Sequence, residues 1–228
     1  MCSSDLVEGQ TLRQWMFDNP RPDLESVRAI VEQIARGLRA FHRKEMVHQD
    51  LRPENVMIDR NGTVTIIDFG STRVAGVLEA APALDDDGIL GTAQYTAPEC
   101  FLGEGGTPAG DLFALGVIAY EMLTGRLPYG SRVAQARTRK AQRALRYAPA
   151  SSEGRPLPVW VDRALERAVH PDPSRRYAAL SEFTTDLRRP NPDFTGPARV
   201  PLAQRNPVLV WQALCLILLV TVGVLLAR

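Results

Sequence analysis

The chain has 228 residues, of which 45% are hydrophobic and 23% charged, so it is long enough for one ordinary domain with a hydrophobic core. A formal net charge of +1 gives no electrostatic footprint for nucleic acid, so no nucleic-acid partner is expected. The three cysteines, Cys2, Cys100 and Cys215, are scattered and odd in number, a pattern that indicates neither a disulfide framework nor a metal site and fits a reducing compartment.

The start of the chain, residues 1–6, shows no organised pattern and no apolar region of a signal peptide. The stretch from Cys2 to Leu6 can be encoded by TGC TCT TCC GAT CT, which resembles the end of a common sequencing adapter. We therefore expect residues 1–6 to be a non-native start and the native protein to begin further upstream.

Helical spacing predicts two helices early in the chain. Gly9 is expected to turn the chain, and a short amphipathic helix with Leu12, Trp15 and Met16 at helical spacing follows. Prolines at positions 20 and 22 then interrupt the chain. Residues 24–43 place six apolar side chains on one face, which predicts a long core helix. These six are Val27, Ile30, Val31, Ile34, Leu38 and Phe41.

A β-hairpin is predicted directly after Asn55. Residues 56–59 and 63–68 are rich in β-branched side chains, and the Asn-Gly pair at 61–62 is the strongest short hairpin signal. Because pairing brings the outer ends of two strands together, we expect Asn55 to lie close to Asp68.

Asp50, Asn55 and Asp68 form a candidate metal site. Asp50 lies five residues before Asn55, across a loop stiffened by Pro53. Two carboxylates and an amide oxygen, without a cluster of Cys or His, make a hard site with oxygen ligands only. Such a site suits Mg²⁺ that carries a phosphate-bearing ligand and disfavours zinc.

The same residues carry a family resemblance. Residues 48–55, His-Gln-Asp-Leu-Arg-Pro-Glu-Asn, resemble the catalytic loop of protein kinases, and residues 68–70, Asp-Phe-Gly, resemble the metal-binding triplet of that family. The resemblance implies that Asp50 accepts the substrate hydroxyl proton, Asn55 holds Mg²⁺, and Asp68 holds Mg²⁺ against the phosphates of ATP. The alternative is an ordinary surface hairpin with acidic ends.

Two other loop residues receive roles from the resemblance. Arg52 stands where many Ser/Thr kinases keep a Lys that faces the γ-phosphate, and a guanidinium can still neutralise charge there with a different geometry. This makes Arg52 a candidate catalytic and ATP-binding residue. His48 is interpreted as a core histidine that supports the loop rather than as a base.

Residues 91–99, Gly-Thr-Ala-Gln-Tyr-Thr-Ala-Pro-Glu, resemble the end of a kinase activation segment. Gly-Thr followed by Ala-Pro-Glu is typical of Ser/Thr kinases rather than Tyr kinases. The resemblance implies that Thr92, a candidate catalytic residue, hydrogen-bonds near Asp50 and Arg52, and that Glu99 is structural.

Activation-loop phosphorylation is not expected to be required. Many kinases place an Arg before the catalytic Asp to pair with a loop phosphate, but Gln49 stands here, and a neutral amide cannot supply that charge-assisted pairing. Between Arg73 and Leu90 there is also no Ser, Thr or Tyr. The three acids at 85–87 are interpreted as a solvated turn rather than as an imitation of a phosphate. Control would then come from the membrane tail or from an upstream region.

Residues 111–124 are apolar almost all round, which predicts a helix in the centre of the core that ends at Gly125. Asp111 is either a buried anchor for the backbone of the catalytic loop, as the resemblance implies, or a helix N-cap with no further duty.

Two further helices are predicted at 160–170 and 179–187, joined by a Pro-containing turn. In that turn Arg176 matches the family Arg that pairs with the residue placed here at Glu99. The basic residues around 133–147 are interpreted as a solvated face, with a patch for substrate or anionic lipid as the alternative.

The end of the chain predicts a membrane anchor. Residues 190–207 contain five prolines and form a linker that spans roughly 55 Å at ~3.1 Å per residue when extended. Residues 208–227 are long and apolar enough for a membrane-spanning helix, with a buried core helix as the alternative. Arg199 and Arg205 precede this segment, so its N-terminal side is expected to be cytoplasmic.

The predicted fold class is α+β: a protein-kinase-like C-lobe, mainly α-helical with a small β-hairpin at the catalytic loop, plus one C-terminal transmembrane helix. The expected segments are a non-native start at 1–6, the kinase C-lobe at 7–188, a Pro-rich juxtamembrane linker at 189–207 and the transmembrane helix at 208–227. No glycine-rich phosphate loop, Val-Ala-Ile-Lys strand or helix with a partner Glu precedes the C-lobe, so the N-lobe is missing. Because phosphoryl transfer depends on positioning and electrostatics, the chain alone is expected to be very weak or inactive.

The resemblance implies a bacterial membrane-anchored protein Ser/Thr kinase at the inner membrane, with its kinase domain cytoplasmic. It would use ATP and Mg²⁺ to phosphorylate Ser or Thr of a protein substrate, and some such kinases carry a metal-dependent phosphatase domain ahead of the kinase.

One alternative is a membrane-tethered pseudokinase that acts as a binding module, against which the retained Asp50, Asn55 and Asp68 argue. Another is a small-molecule phosphotransferase such as an aminoglycoside or choline kinase. Residues 91–99 argue against that, because in kinases this segment builds the peptide-docking platform.

Overall fold

The computed structural model describes residues 9–20, 22–70, 73–74, 93–153 and 157–195. This part of the chain is mainly helical with a small amount of strand, as predicted. The helices are α1 (Leu12–Asp18), α2 (Leu24–His42), α3 (Pro108–Thr124), α4 (Arg132–Gln135), α5 (Arg139–Arg143), α6 (Val159–Ala168), α7 (Leu180–Arg188) and α8 (Pro192–Thr195). The strands are β1 (Gln10–Thr11), β2 (Met46–Val47), β3 (Val56–Ile58), β4 (Val64–Ile66) and β5 (Arg73–Val74).

Helix α2 is the long amphipathic helix that the sequence predicts. The carboxylate of Asp23 caps its N-terminus by accepting a hydrogen bond from the backbone N–H of Ser26 at 2.9 Å. Five of the six predicted core side chains are buried, while Phe41 is only partly buried. The apolar face of α2 therefore supports the loop that begins just after its C-terminus.

Helix α3 runs through the centre of the core, and every residue from 111 to 120 is buried. It begins at Pro108 with Thr107 as its N-cap, three residues before the predicted start, and ends at Gly125 with φ of 71°. The interpretation of Asp111 as an N-cap is therefore wrong. A Cβ on Gly116 would lie 2.9 Å from the Cβ of Ala168, so this glycine permits close packing of α3 against α6.

The predicted hairpin is present. Strands β3 and β4 pair antiparallel, with Val56 opposite Ile66. The connecting turn is closed by the N–H of Gly62 bonding to the carbonyl of Asp59 at 3.1 Å, and Gly62 adopts a φ of 79°. Strand β1 adds to the outer side of β3 to give the order β1-β3-β4, and β2 pairs separately with β5.

The C-terminal helices α6 and α7 confirm the two predicted there, with boundaries shifted by one or two residues. The basic residues of the segment around 133–147 are all exposed, as a solvated face requires. They are Arg132, Arg137, Arg139, Lys140, Arg143 and Arg146.

The predicted linker differs at its start, because Pro192–Thr195 forms the short helix α8 and Phe194 packs against the core. Within the described ranges no helix is long and apolar enough to cross a membrane. The predicted transmembrane helix, residues 208–227, lies outside those ranges, as does the predicted non-native start.

Candidate active site

Asp50 and Asn55 meet directly. A single 3₁₀ turn, Pro53–Asn55, brings the amide of Asn55 back over the loop. Its Nδ2 donates to the backbone carbonyl of Asp50 at 2.8 Å and to Asp50 Oδ2 at 2.9 Å. Because the amide nitrogen serves as donor to Asp50, the amide oxygen of Asn55 stays available as a ligand.

Asp68 comes to the same end of the hairpin. The N–H of Ile67 donates to the carbonyl of Asn55 at 2.8 Å, so the residue before Asp68 lies beside Asn55, as predicted. Asp68 is exposed and adopts a φ of 61°, a left-handed conformation that costs a non-glycine residue about 1 kcal/mol or more. Its Oδ1 accepts from the N–H of Gly70 at 3.1 Å, which fixes the carboxylate at the edge of the sheet.

The surroundings of Asp50 adjust its proton affinity. Burial raises the pKa of Asp50, and the negative charge of Asp68 adds to this effect. The hydrogen bond from Asn55 and the positive charge of Arg52 oppose it, without cancelling it. A carboxylate with a raised pKa is a stronger base, which suits a group that accepts a hydroxyl proton.

The donor set fits a magnesium ion. The amide oxygen of Asn55 and the carboxylate of Asp68 are hard ligands. Together they supply one full negative charge, which suits an ion that is also coordinated by phosphate oxygens of its ligand. No group of three or more His, Cys, Asp or Glu side chains forms a metal site within the part of the chain that the structure describes. Asn55 and Asp68 would therefore hold Mg²⁺ together with a phosphate-bearing ligand.

Asp111 anchors the catalytic loop from behind. Its buried carboxylate accepts from the N–H of His48 at 3.0 Å and from the N–H of Gln49 at 2.9 Å. His42, in the last turn of α2, places its Nε2 2.8 Å from Asp111 Oδ2. The anchoring role suggested for Asp111 is thus observed, and it ties the loop to both α2 and α3.

His48 is a core residue, as predicted. Its side chain is fully buried, and neither ring nitrogen has a hydrogen-bond partner among the described residues. The ring of Phe69 packs edge-on against it with centroids 5.8 Å apart, and Phe41 stacks on Phe69 at 5.0 Å. These aromatic contacts join the end of α2 to the segment just after Asp68.

The role predicted for Glu99 is also observed. Its two carboxylate oxygens accept from Arg176 at 2.7 and 2.6 Å in a bidentate, buried pair. Arg176 makes further bonds to the carbonyls of Ala109, His170 and Pro171, so the pair joins α3 to the turn before α7.

Arg52 contacts a group of residues that sequence reasoning missed. Its Nε donates to Glu54 Oε2 at 2.9 Å, and Arg13 Nε donates to the other oxygen of Glu54 at 2.8 Å. Arg13 also bonds to Glu121 and Tyr95. Burial disfavours the charge of Arg13, but the hydrogen bonds that Arg13 donates to Glu54, Glu121 and Tyr95 outweigh this and raise its pKa. No sequence signal could pair residues 41 and 108 positions apart.

Some predicted site features lie outside the described residues. Thr92 is one of them, together with the acids at 85–87 and most of the predicted activation loop. Gln49, whose neutral side chain motivated the prediction about loop phosphorylation, is described and has a left-handed φ of 67°.

The arrangement defines a class of protein. A sequence model for the protein kinase domain matches residues 2–186 of the chain. The chain therefore belongs to the protein kinase family, and the resemblance drawn from its catalytic loop is confirmed.

Several bacterial proteins are similar to the chain. The chain is 35% identical over 185 residues to a probable serine/threonine-protein kinase PknB of Bifidobacterium longum, covering 80% of this chain and 26% of that protein. It is 29% identical to the serine/threonine-protein kinase PrkC of Bacillus subtilis, with coverages of 81% and 28%. Serine/threonine-protein kinase PknL of Mycobacterium tuberculosis is 31% identical over 216 residues, with coverages of 92% and 53%. The chain thus spans between about a quarter and half of the length of these relatives.

Proposed function

We propose that the chain is the C-lobe of a protein Ser/Thr kinase that transfers the γ-phosphate of ATP to Ser or Thr of a protein substrate. The observation that carries this proposal is the bond of the Asn55 amide to the Asp50 carboxylate at 2.9 Å, at the end of the hairpin that also carries Asp68. The proposed base, Asp50, and the proposed metal ligands, Asn55 and Asp68, thus lie at one end of the hairpin, next to the loop that Asp111 anchors.

Each residue has a chemical task in this proposal. Asp50 accepts the proton of the substrate hydroxyl as the hydroxyl oxygen attacks phosphorus. Asn55 and Asp68 hold Mg²⁺, which neutralises charge on the phosphates of ATP. Arg52 contributes positive charge near the transferred phosphoryl group. The family resemblance assigns Thr92 a hydrogen bond near Asp50 and Arg52.

The Ser/Thr class is supported by two observations. The sequence Gly-Thr followed by Ala-Pro-Glu at 91–99 is typical of Ser/Thr kinases, and the three bacterial relatives named above are serine/threonine-protein kinases by name. In protein kinases, the glycine-rich loop and the Lys strand that contact the ATP phosphates belong to the N-lobe. The chain alone is therefore expected to transfer phosphate very weakly.

The kinase assignment is tested in a two-lobe protein, in which an N-lobe precedes this chain. Asp50→Asn and Asp68→Asn are each expected to lower phosphate transfer to a generic basic protein by about 10² to 10⁴. Asp18→Asn is the matched control, because Asp18 is exposed and, in the described part of the chain, accepts one hydrogen bond, from the Gln14 side chain. If Asp50→Asn and Asp68→Asn both keep activity within about threefold of wild type, the kinase assignment is wrong.

The same proposal places the protein at the bacterial inner membrane, with residues 208–227 as its anchor and the kinase domain in the cytoplasm. Its support is the length and apolar composition of that segment and the arginines ahead of it. Membranes from cells that express the chain with and without residues 208–228 are washed with carbonate. Release of the full-length chain by the wash would show that the segment is not inserted.

A further inference from the structure

Arg13 joins three parts of the molecule through one guanidinium. From α1, its Nε donates to Glu54 in the catalytic loop at 2.8 Å, and its Nη1 donates to Glu121 in α3 at 2.9 Å. Its Nη2 donates to the phenol oxygen of Tyr95, which in turn donates to Glu121 Oε2 at 2.5 Å. The fork of the guanidinium is therefore fixed in direction by three partners on separate elements.

Glu54 shares its two oxygens between two guanidinium groups. Oε1 accepts from Arg13 and Oε2 accepts from Arg52 at 2.9 Å. The side chains of Arg13 and Glu54 are 39% and 35% exposed, so this contact is partly shielded from water. The direction in which Glu54 presents Oε2 to Arg52 depends on the bond that holds Oε1.

At the other end of this set of contacts, Arg13 is held by a residue of the central helix. Glu121 lies in α3, the helix at the centre of the core, and its side chain is only 14% exposed. A line of direct contacts thus runs from α3 through Arg13 and Glu54 to Arg52, whose positive charge acts on Asp50. Without Arg13, Glu54 Oε1 would lose the guanidinium that links it to α3.

We propose that Arg13 is a positioning residue for phosphoryl transfer, which acts through Glu54 to hold Arg52 in its working orientation beside Asp50. This inference rests on the proposed kinase function. Since small displacements of catalytic groups reduce rate strongly, removing Arg13 is expected to slow the chemical step rather than to weaken binding of ATP.

The test measures kcat and KM in the two-lobe protein. Arg13→Met is expected to lower kcat by between about 10-fold and 100-fold, with KM for ATP within about threefold of wild type. Arg13→Lys keeps the positive charge but loses the planar guanidinium that can bond to several partners at once, so a kcat between those of wild type and Arg13→Met is expected. Arg163→Met is the matched control, because Arg163 is 49% exposed and, among the residues that the structure describes, pairs with Glu166 on its own helix. Its kcat should match wild type.

A double variant separates positioning from other roles. If Arg13 acts through Glu54, Arg13→Met combined with Glu54→Gln should be no slower than the slower single variant. The inference is overturned if the losses in kcat of the two single variants multiply in the double variant. It is also overturned if the kcat of Arg13→Met is within twofold of wild type, or if KM for the protein substrate rises with kcat unchanged.

Folding and function are kept apart by two further measurements. Denaturant unfolding of the 228-residue chain and its variants shows whether Arg13→Met is folded at the assay temperature. If it is not, Arg13→Lys and Glu54→Gln carry the test, and full activity in both contradicts the inference. A failure of the kinase assignment looks different, because the wild-type protein would then transfer no phosphate or Asp50→Asn would be fully active.

Discussion

The helical base and the catalytic edge of the molecule satisfy their polar groups in different ways. The base is formed by α3, α6 and α7, the turn between the last two and the 3₁₀ turn Pro98–Leu102. In it the charges of Glu99 and Arg176 are buried and neutralise each other within the chain. At the edge, Asp68 is exposed and Phe69 is 47% exposed, although the ring of Phe69 packs against the buried His48. The buried charges of the base are neutralised within the chain, whereas the edge exposes Asp68 and Phe69 to solvent.

This difference shows where the order of the edge comes from. Gln49 and Asp68 adopt left-handed backbone conformations, which persist only where surrounding contacts impose them. Asp111, a residue of α3, supplies such contacts by accepting the N–H groups of His48 and Gln49. The base therefore determines the shape of the loop that carries the proposed chemistry.

Breaking the base should have the largest effect on stability. Arg176→Met leaves the carboxylate of Glu99 buried without its bidentate partner, and the free energy of unfolding should fall by about 3–5 kcal/mol. Urea unfolding measures this. The exposed pair of Arg175 and Asp172, at 4.0 Å, is the matched control, and Arg175→Met should cost less than about 1 kcal/mol.

A second variant sharpens this prediction. Glu99→Met combined with Arg176→Met removes both charges, so the double variant should be more stable than Arg176→Met alone. If the two single losses simply add, Glu99 and Arg176 do not act as a pair.

Loosening the link between base and edge should have an intermediate effect. Asp111→Asn keeps one acceptor oxygen and replaces the other with an amide nitrogen, so one loop N–H loses its partner, at a cost of about 1–3 kcal/mol. Hydrogen exchange at the amides of His48 and Gln49 should speed up, while the amide of Arg189 at the end of α7 should not change. Unchanged protection of the loop amides would show that Asp111 does not anchor the loop.

The smallest effect on stability is expected at Asp23, the exposed N-cap of α2. Hydrogen bonds from the hydroxyl and the N–H of Ser26 lower the pKa of Asp23, because they favour its ionised form. This stabilisation is present above the ordinary pKa of an Asp and is lost as pH falls through the lowered value. Asp23→Ala should therefore lower Tm slightly at neutral pH and progressively less in acid. A decrease in Tm that does not depend on pH would rule out the charged cap.

Much of the base and the loop could be predicted from sequence because the signals are local. Asp50, Asn55 and Asp68 lie within one short stretch, and the Asn-Gly turn signal places the last two at one end of a hairpin. The start of α3 was missed because Thr107 and Pro108 precede the apolar run, although a cap followed by proline is a helix-start signal.

The contacts of Arg13 could not be predicted in the same way. They depend on the packing of α1 against the loop and α3, which brings together residues far apart in the chain. Sequence periodicity identifies the buried face of a helix but not the partner of an individual charged side chain.

The most direct test of the catalytic edge is where a metal–nucleotide complex binds. In the two-lobe protein, Mn²⁺ replaces Mg²⁺ in the presence of ATP, and paramagnetic broadening of side-chain amide NMR signals is recorded. The amide of Asn55 should broaden, this should require ATP, and Asp68→Asn should abolish it, while the amide of Asn191, which bonds to Asp186, stays sharp. A sharp Asn55 signal with Mn²⁺ and ATP, or broadening that persists in Asp68→Asn, would contradict the proposed site.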